Sequence, residues 1–208
     1  MTIWLDMDDV LVDLDGHYTK LFGEPSWAKH KRIREDGEAK GLSKTEAYIL
    51  ADKNFAQDVT SIPDFWYDIP LMPYAKELVG ICTSMTQDVR VLTAVLSYDK
   101  DRMMCQKRKA IIDNFPELYK IVFANTILSP ELQTHSSDKA NWCRSNKDVL
   151  IDDSESNIEK WKEKGGSGIW LPPKIQKEDS GFLADVSWAI ATVKTNPKIV
   201  KEKNNVNN

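Results

Sequence analysis

The chain has 208 residues, 41% of them apolar, enough for one sizeable core and a small subdomain. A net charge of −4 argues against an extended nucleic-acid surface, and no apolar stretch has the length of a membrane span. Cys82, Cys105 and Cys143 are odd in number and share no Cys-x-x-Cys spacing, so they point to neither a disulfide framework nor a zinc site.

The first element is the most informative. Ile3-Trp4-Leu5 reads as a buried strand that runs into Asp6, Asp8 and Asp9 before turning apolar again at Val10. Crowded carboxylates at a strand end repel one another, and a divalent cation or a phosphorylated ligand is the usual reason for holding them together. The structural alternative is a solvated turn that caps the next helix. Asp6 interrupts the apolar start before it can form a signal-peptide core, so a cytoplasmic protein is expected.

A helix is expected over Leu14 to Phe22. From there to about Tyr74 no period-two run occurs, and the segment reads as helical pieces. Ser43-x-x-Glu46 is a capping box opening a helix through about Phe55. Three prolines around Phe65-Trp66-Tyr67 mark the return to the main body. A helix from Tyr74 to about Thr86 follows, which makes Thr83-Ser84 a decoy, and then a strand over Val89 to Val95 containing Thr93.

Asp101 to Phe115 is a charged amphipathic helix, and Tyr119 to Ala124 a strand. The basic runs Lys29 to Arg34 and Arg102 to Lys109 read as solvated helix faces. Ser136-Ser137-Asp138-Lys139 is expected to open a helix through about Arg144, capped by Ser137 or Asp138. Asp148 to Asp153 is a second buried strand ending in carboxylates. Ser154 to Lys164 is helical and stops at Gly165-Gly166, Gly168 to Leu171 is a last strand before Pro172-Pro173, and Phe182 to Val193 a last helix.

Alternating strands and helices predict an α/β fold with a parallel sheet. The expected layout is a three-layer Rossmann-like core over 1–16 and 75–195, a small helical cap over 17–74 inserted after the first strand, and a polar tail over 196–208 with the composition of a disordered segment.

Asp6-Met7-Asp8-Asp9-Val10, Thr93, Lys139 and Asp152-Asp153 lie at or after successive expected strands. In order and type they resemble the four motifs of the haloacid dehalogenase-like (HAD) phosphohydrolases. Within that superfamily the closest resemblance is to the 5′(3′)-deoxyribonucleotidases and their bacterial and phage relatives. It is carried by Asp6-Met7-Asp8, the turn Pro63-x-Phe65-Trp66-x-Asp68-Ile69-x-x-Met72-Pro73, Asp138-Lys139 and Leu150-Ile151-Asp152-Asp153.

The resemblance implies a Mg²⁺-dependent phosphomonoesterase acting on nucleoside monophosphates. Asp6 would attack phosphorus, and Asp8 would serve as general acid and then general base. Thr93 and the amide of Ala94 would bind phosphoryl oxygens, and Lys139 would neutralise charge on the nucleophile and the transferring group. Asp6, the backbone carbonyl of Asp8, and Asp152 with Asp153 would hold Mg²⁺, Asp153 being the direct ligand in that family; an all-oxygen set suits this ion. Phe65 and Trp66 become candidates for stacking on base or sugar, against the alternative of core packing.

Two departures stand out. Asp9 occupies a position where the family often has Gly, and Ala94-Val95 replaces the Ser-Pro of mammalian members.

A phosphatase of polynucleotide 3′-ends or small sugar phosphates is the alternative in the same fold, a basic cleft favouring nucleic-acid ends and a closed aromatic lid a mononucleotide. A receiver-like signalling protein would need its phosphoacceptor at a central strand end, whereas Asp52 and Asp58 fall in expected helix. A silent phosphate-binding protein would have no need of Asp6, Asp8 and Lys139 together. The expected partner is a small phosphomonoester, with no membrane and no nucleic acid. Base and sugar preference and a homodimeric state stay open.

Overall fold

The computed structural model describes residues 1–95, 99–125, 139–172 and 181–195. The expected cap at Ser137 or Asp138, the Asp138 half of the Asp-Lys pair, Pro173 and the tail lie outside these residues.

Five parallel strands, β1 (Ile3–Leu5), β2 (Val89–Val95), β3 (Ile121–Asn125), β4 (Val149–Asp152) and β5 (Ser167–Trp170), form one sheet in the order β3-β2-β1-β4-β5. This is the α/β Rossmann-like architecture expected from the alternation of elements. β1 is central, with Leu5 level with Val91 on one side and Ile151 on the other. The carboxyl ends of β1, β2 and β4 therefore lie side by side, the edge at which open parallel sheets bind ligands.

The helices are α1 (Leu14–Phe22), α2 (Ser26–Ala39), α3 (Lys44–Ser61), α4 (Ala75–Met85), α5 (Lys100–Asn114), α6 (Glu155–Glu163) and α7 (Phe182–Thr195). Side chains alternate between the sheet faces, so Ile3, Leu5, Val91 and Ile151 pack with residues of α4, α5 and α7. Trp4, Leu92 and Leu150 face the other way, onto Ile158 and Trp161 of α6. Opposite faces follow from the strand order: β2 to β3 steps one way from the centre and β4 to β5 the other, and right-handed crossovers then put α5 and α6 on different sides. Among the described residues no helix is long and apolar enough to cross a membrane.

The capping box at Ser43 is formed, with the Ser43 hydroxyl accepting from the Glu46 amide and the Glu46 carboxylate accepting from the Ser43 amide. Its helix runs on to Ser61, six residues past the expected end at Phe55, because Ala56 and Val59 continue a buried stripe begun by Ala47 and Ala51. Thr83 lies in α4, its hydroxyl donating back to the Val79 carbonyl.

The helix expected through Arg144 is instead a single 3₁₀ turn, Lys139–Trp142. The Asp148 carboxylate accepts from the Arg144 and Ser145 amides and draws the chain straight into β4.

Candidate active site

The loop after β1 is wound tightly. The amides of Val10, Leu11 and Val12 all point at the Met7 carbonyl, and the Asp9 amide donates to Val12. Closing the loop requires positive φ at Asp9, 56°, which explains why glycine is at home here and why aspartate, among the more tolerant residues, is accepted. The return segment zips onto the loop: Met72 donates to Leu11, and Asp13 to Pro70.

This winding sets Asp6 at the sheet edge, almost fully buried. Its Oδ1 accepts from the Met7 amide at 2.7 Å and its Oδ2 from Lys139 Nζ at 2.7 Å. The same Nζ donates to Asp152 Oδ2 at 2.8 Å, so one buried ammonium bridges the ends of β1 and β4. Asp152 is fully engaged, because its Oδ1 accepts from the Ser154 amide and the Asn157 side chain at the start of α6. Among the described residues nothing donates to the Asp153 carboxylate. Asp6, Asp152 and Asp153 each offer a carboxylate oxygen within 4.8 Å of the others.

The electrostatics report the crowding. Burial, partly offset by Lys139 and reinforced by Asp152, Asp153 and Asp8, holds the Asp6 carboxyl well above its ordinary range. Asp153 is pushed up to about 8 by burial and by Asp152 and Asp9. Asp9 is also pushed up to about 8, by burial and by Asp15. Burial pulls Lys139 down, but Asp6 and Asp152 outweigh it and hold the ammonium above its ordinary range. A cluster that resists ionisation without a counter-charge is one that a cation fits. The carboxylate oxygens of Asp6 and Asp153, with Asp152 beside them, are hard donors of the kind that suits Mg²⁺. Outside this cluster, Asp8 Oδ1 is buried with no hydrogen-bond partner among the described residues.

Thr93, wholly buried in β2, does not point a free hydroxyl into this space. Its Oγ1 accepts from Lys107 Nζ at 2.9 Å, and the same Nζ donates to Asp8 Oδ2 at 2.5 Å and to the Ala94 carbonyl at 3.0 Å. Lys107, with 1% of its surface exposed, stands over the Trp66 ring at 4.3 Å. The reading of Arg102 to Lys109 as a solvated face therefore fails at this residue. The signal was present in sequence: Met103, Lys107, Ala110 and Ile111 follow the helical repeat of the buried side, so Lys107 stands on the apolar stripe of α5.

Two lysines thus hold the carboxylates, Lys139 from the α6 side of the sheet and Lys107 from the α5 side. Lys107→Met, which keeps the packing but strips Asp8 of its cation, is expected to cost roughly 2–3 kcal/mol, with the double replacement Lys107→Met, Asp8→Asn recovering most of it. Thermal unfolding of the three variants checks this.

Phe65 and Trp66, 0% and 5% exposed, lie in the joint between α1, α3 and the sheet. Phe65 packs against His17, Tyr18 and Trp66, and Trp66 against Phe55. They occupy the packing position that was the alternative to ring stacking on a ligand. The return segment is also fastened to α5: the Gln106 side chain accepts from the Trp66 amide and donates to the Pro63 carbonyl, and Arg102 donates to the Thr60 carbonyl.

No protein-family model and no curated protein sequence matches the chain. Solved structures do. A dehalogenase determined with an intermediate complex superposes over 89% of this chain and 94% of its own, with a TM-score of 0.54 at 10% identity. A HAD hydrolase of family IA, variant 3, from Entamoeba histolytica superposes over 93% of this chain and 99% of its own, with a TM-score of 0.53 at 13% identity. The fold is HAD-like. At such identities the likeness concerns architecture, and in this HAD-like fold the chemistry has to be argued from the side chains themselves.

Proposed function

We propose that the protein is a Mg²⁺-dependent phosphomonoesterase that releases phosphate from nucleotides, a nucleoside monophosphate being the simplest substrate, through an aspartyl-phosphate at Asp6. The observation that carries this reading is the buried Lys139 ammonium shared by Asp6 and Asp152 beside the Asp153 carboxylate, to which nothing among the described residues donates. It supplies a nucleophile, a positive charge and a cation site at one strand edge.

Asp6 and Asp153 would hold Mg²⁺, which would supply positive charge against the phosphoryl oxygens. An Asp6 oxygen attacks phosphorus as the ester oxygen leaves. Asp8 gives that oxygen its proton, Oδ1 being the atom free to carry it while Oδ2 rests on Lys107. The resulting Asp8 carboxylate takes a proton from water, which attacks phosphorus and restores Asp6. Lys139 stays on Asp6 throughout and offsets charge as it builds. Asp152 acts as a positioning residue, since its oxygens hold Lys139 and the first turn of α6. A dehalogenase would make no use of Asp8 as a proton donor, because halide leaves without a proton. The nucleotide preference rests on the resemblance at the lid return, from Pro63 to Pro73.

The test is phosphate release with Mg²⁺ from 5′- and 3′-mononucleotides, sugar phosphates and 3′-phosphorylated oligonucleotides. Release from sugar phosphates alone would remove the nucleotide reading.

The metal has a readout independent of turnover. Carboxyls that stay protonated to higher pH in the folded protein than in the unfolded chain support folding below about pH 4 and cease to do so as pH passes about 8. In chelator, Tm is therefore expected to fall between pH 5 and pH 9 by roughly 6–10 °C, the equivalent of about 3 kcal/mol for this size. Mg²⁺ at millimolar concentration is expected to restore most of it at pH 9 and little at pH 5. A Tm that ignores Mg²⁺ at pH 9 would remove the metal site.

A further inference from the structure

Away from the carboxylates, α2 and α3 enclose an open groove of about 480 Å³. Its walls carry three aromatic rings, Trp27, Tyr48 and Phe55, together with His30, Lys31 and Arg34. Trp27 is 63% exposed and Tyr48 38%. Arg34 lies against the Tyr48 ring at 4.7 Å, and His30 pairs with Asp52 at 2.9 Å. Tyr48 also carries His30 at 4.9 Å and Phe55 stacks on Tyr18 at 5.5 Å, so Trp27 presents the open face. An open ring beside cations is the composition with which proteins bind single-stranded nucleotides, ring for base and cations for phosphates.

Two chains of contacts tie one end of this groove to the active site. Ser26, on its wall, donates to Asp15 at 2.5 Å, and the Asp15 amide donates to Asp9. On the other wall Phe55 packs on Trp66 at 6.3 Å, Trp66 carries Lys107 at 4.3 Å, and Lys107 reaches Asp8 at 2.5 Å. Those three steps keep the Phe55 ring within about 13 Å of the Asp8 carboxylate. From Ser26 the groove extends along α2 to Arg34, about 12 Å at the helical rise of 1.5 Å per residue. Such a volume suits a ligand larger than a single base.

We propose that this groove binds a second nucleotide unit, so that the preferred substrate is the phosphorylated end of a short single-stranded oligonucleotide rather than a free mononucleotide. The inference rests on the phosphomonoesterase reading for its chemistry and on the groove for its length. The net charge of −4 is compatible with it, because one added unit brings one phosphate, which Arg34 meets, with Lys31 beside it held only by an exposed 3.8 Å pair with Glu35. The groove selects short ends and not long strands, since most of the neighbouring cations are already paired: Lys29 with Asp58, and Arg32 with Glu24.

The experiment compares kcat/KM for a 3′-phosphorylated dinucleotide with that for the 3′-mononucleotide, in the native protein and in Trp27→Ala, Trp27→Phe and Arg34→Gln. Anisotropy of a fluorescein-labelled thymidine tetranucleotide ending in a hydroxyl runs alongside. Tyr119→Ala, an exposed ring on another part of the molecule, is the control. The native protein is expected to favour the dinucleotide about tenfold, with Trp27→Ala and Arg34→Gln collapsing that ratio, Trp27→Phe preserving it and Tyr119→Ala leaving it unmoved. An equal fall in both substrates would make the groove a site for the first base alone and overturn the proposal, as would a ratio indifferent to Trp27. If no substrate releases phosphate, the phosphatase reading fails by itself. Anisotropy then decides the groove: binding weakened fivefold or more by Trp27→Ala upholds it, and no binding overturns it.

Discussion

Asp6→Asn is expected to lower kcat for phosphate release by roughly 10⁴-fold or more while leaving the protein folded, because it removes the atom that bonds to phosphorus. The amide keeps the shape of the side chain and can still accept from the Met7 amide through its oxygen. Burial and the neighbouring carboxylates already make a charge at position 6 unfavourable, so its loss is expected to change Tm by no more than about 4 °C, within about 1 kcal/mol. Phosphate release and thermal unfolding measured on the same preparation separate the two effects. Activity retained above a hundredth of the native value would rule out the covalent route.

Lys139→Met carries the largest expected loss of stability. The ammonium is the only cation within hydrogen-bonding reach of Asp6 and Asp152 among the described residues, and all three groups are buried. Stripping one partner from a buried ion cluster costs about 3–5 kcal/mol, which for a chain of this size is roughly 8–15 °C in Tm. The loss is expected to be smaller at pH 5 than at pH 9: without Lys139 the carboxyls are tolerated only while protonated, and they give up their protons as pH rises. Unfolding curves at the two pH values test this, and a loss independent of pH would show that Lys139 acts through packing alone. Mg²⁺ is expected to recover part of the deficit at pH 9, since it supplies positive charge to the same oxygens.

Most of the secondary structure was legible from the chain because it is written locally. The helix over Leu14 to Phe22 and the strand over Val89 to Val95 have the expected bounds, each fixed by apolar periodicity and a clear stop. Treating Thr83-Ser84 as part of a helix also agrees with α4. Where the reading failed, a side-chain contact that periodicity does not register had decided the outcome. The segment before β4 was shortened by Asp148, and α3 was lengthened by a stripe of small residues that finds its partner in neighbouring helices.

The candidate site divides along the same line. Sequence alone determined that carboxylates stand at the ends of β1 and β4, since a buried apolar run leading into Asp6 or Asp152 leaves those side chains nowhere else to go. It determined the parallel sheet, and through it the edge at which these residues meet. Only the tertiary structure decided that Lys107 faces Asp8 and that Asp152 shares Lys139 with Asp6. The apolar stripe of α5 marks Lys107 as a buried residue, but the carboxylate it meets lies 99 residues away, and no local pattern names that partner. Only the tertiary structure placed Phe65 and Trp66 inside the joint while leaving Trp27 and Tyr48 exposed on the groove. The reason is physical: strand and helix propensities are properties of neighbouring residues, whereas desolvating a charge, or leaving a ring in water, depends on what the rest of the chain brings against it.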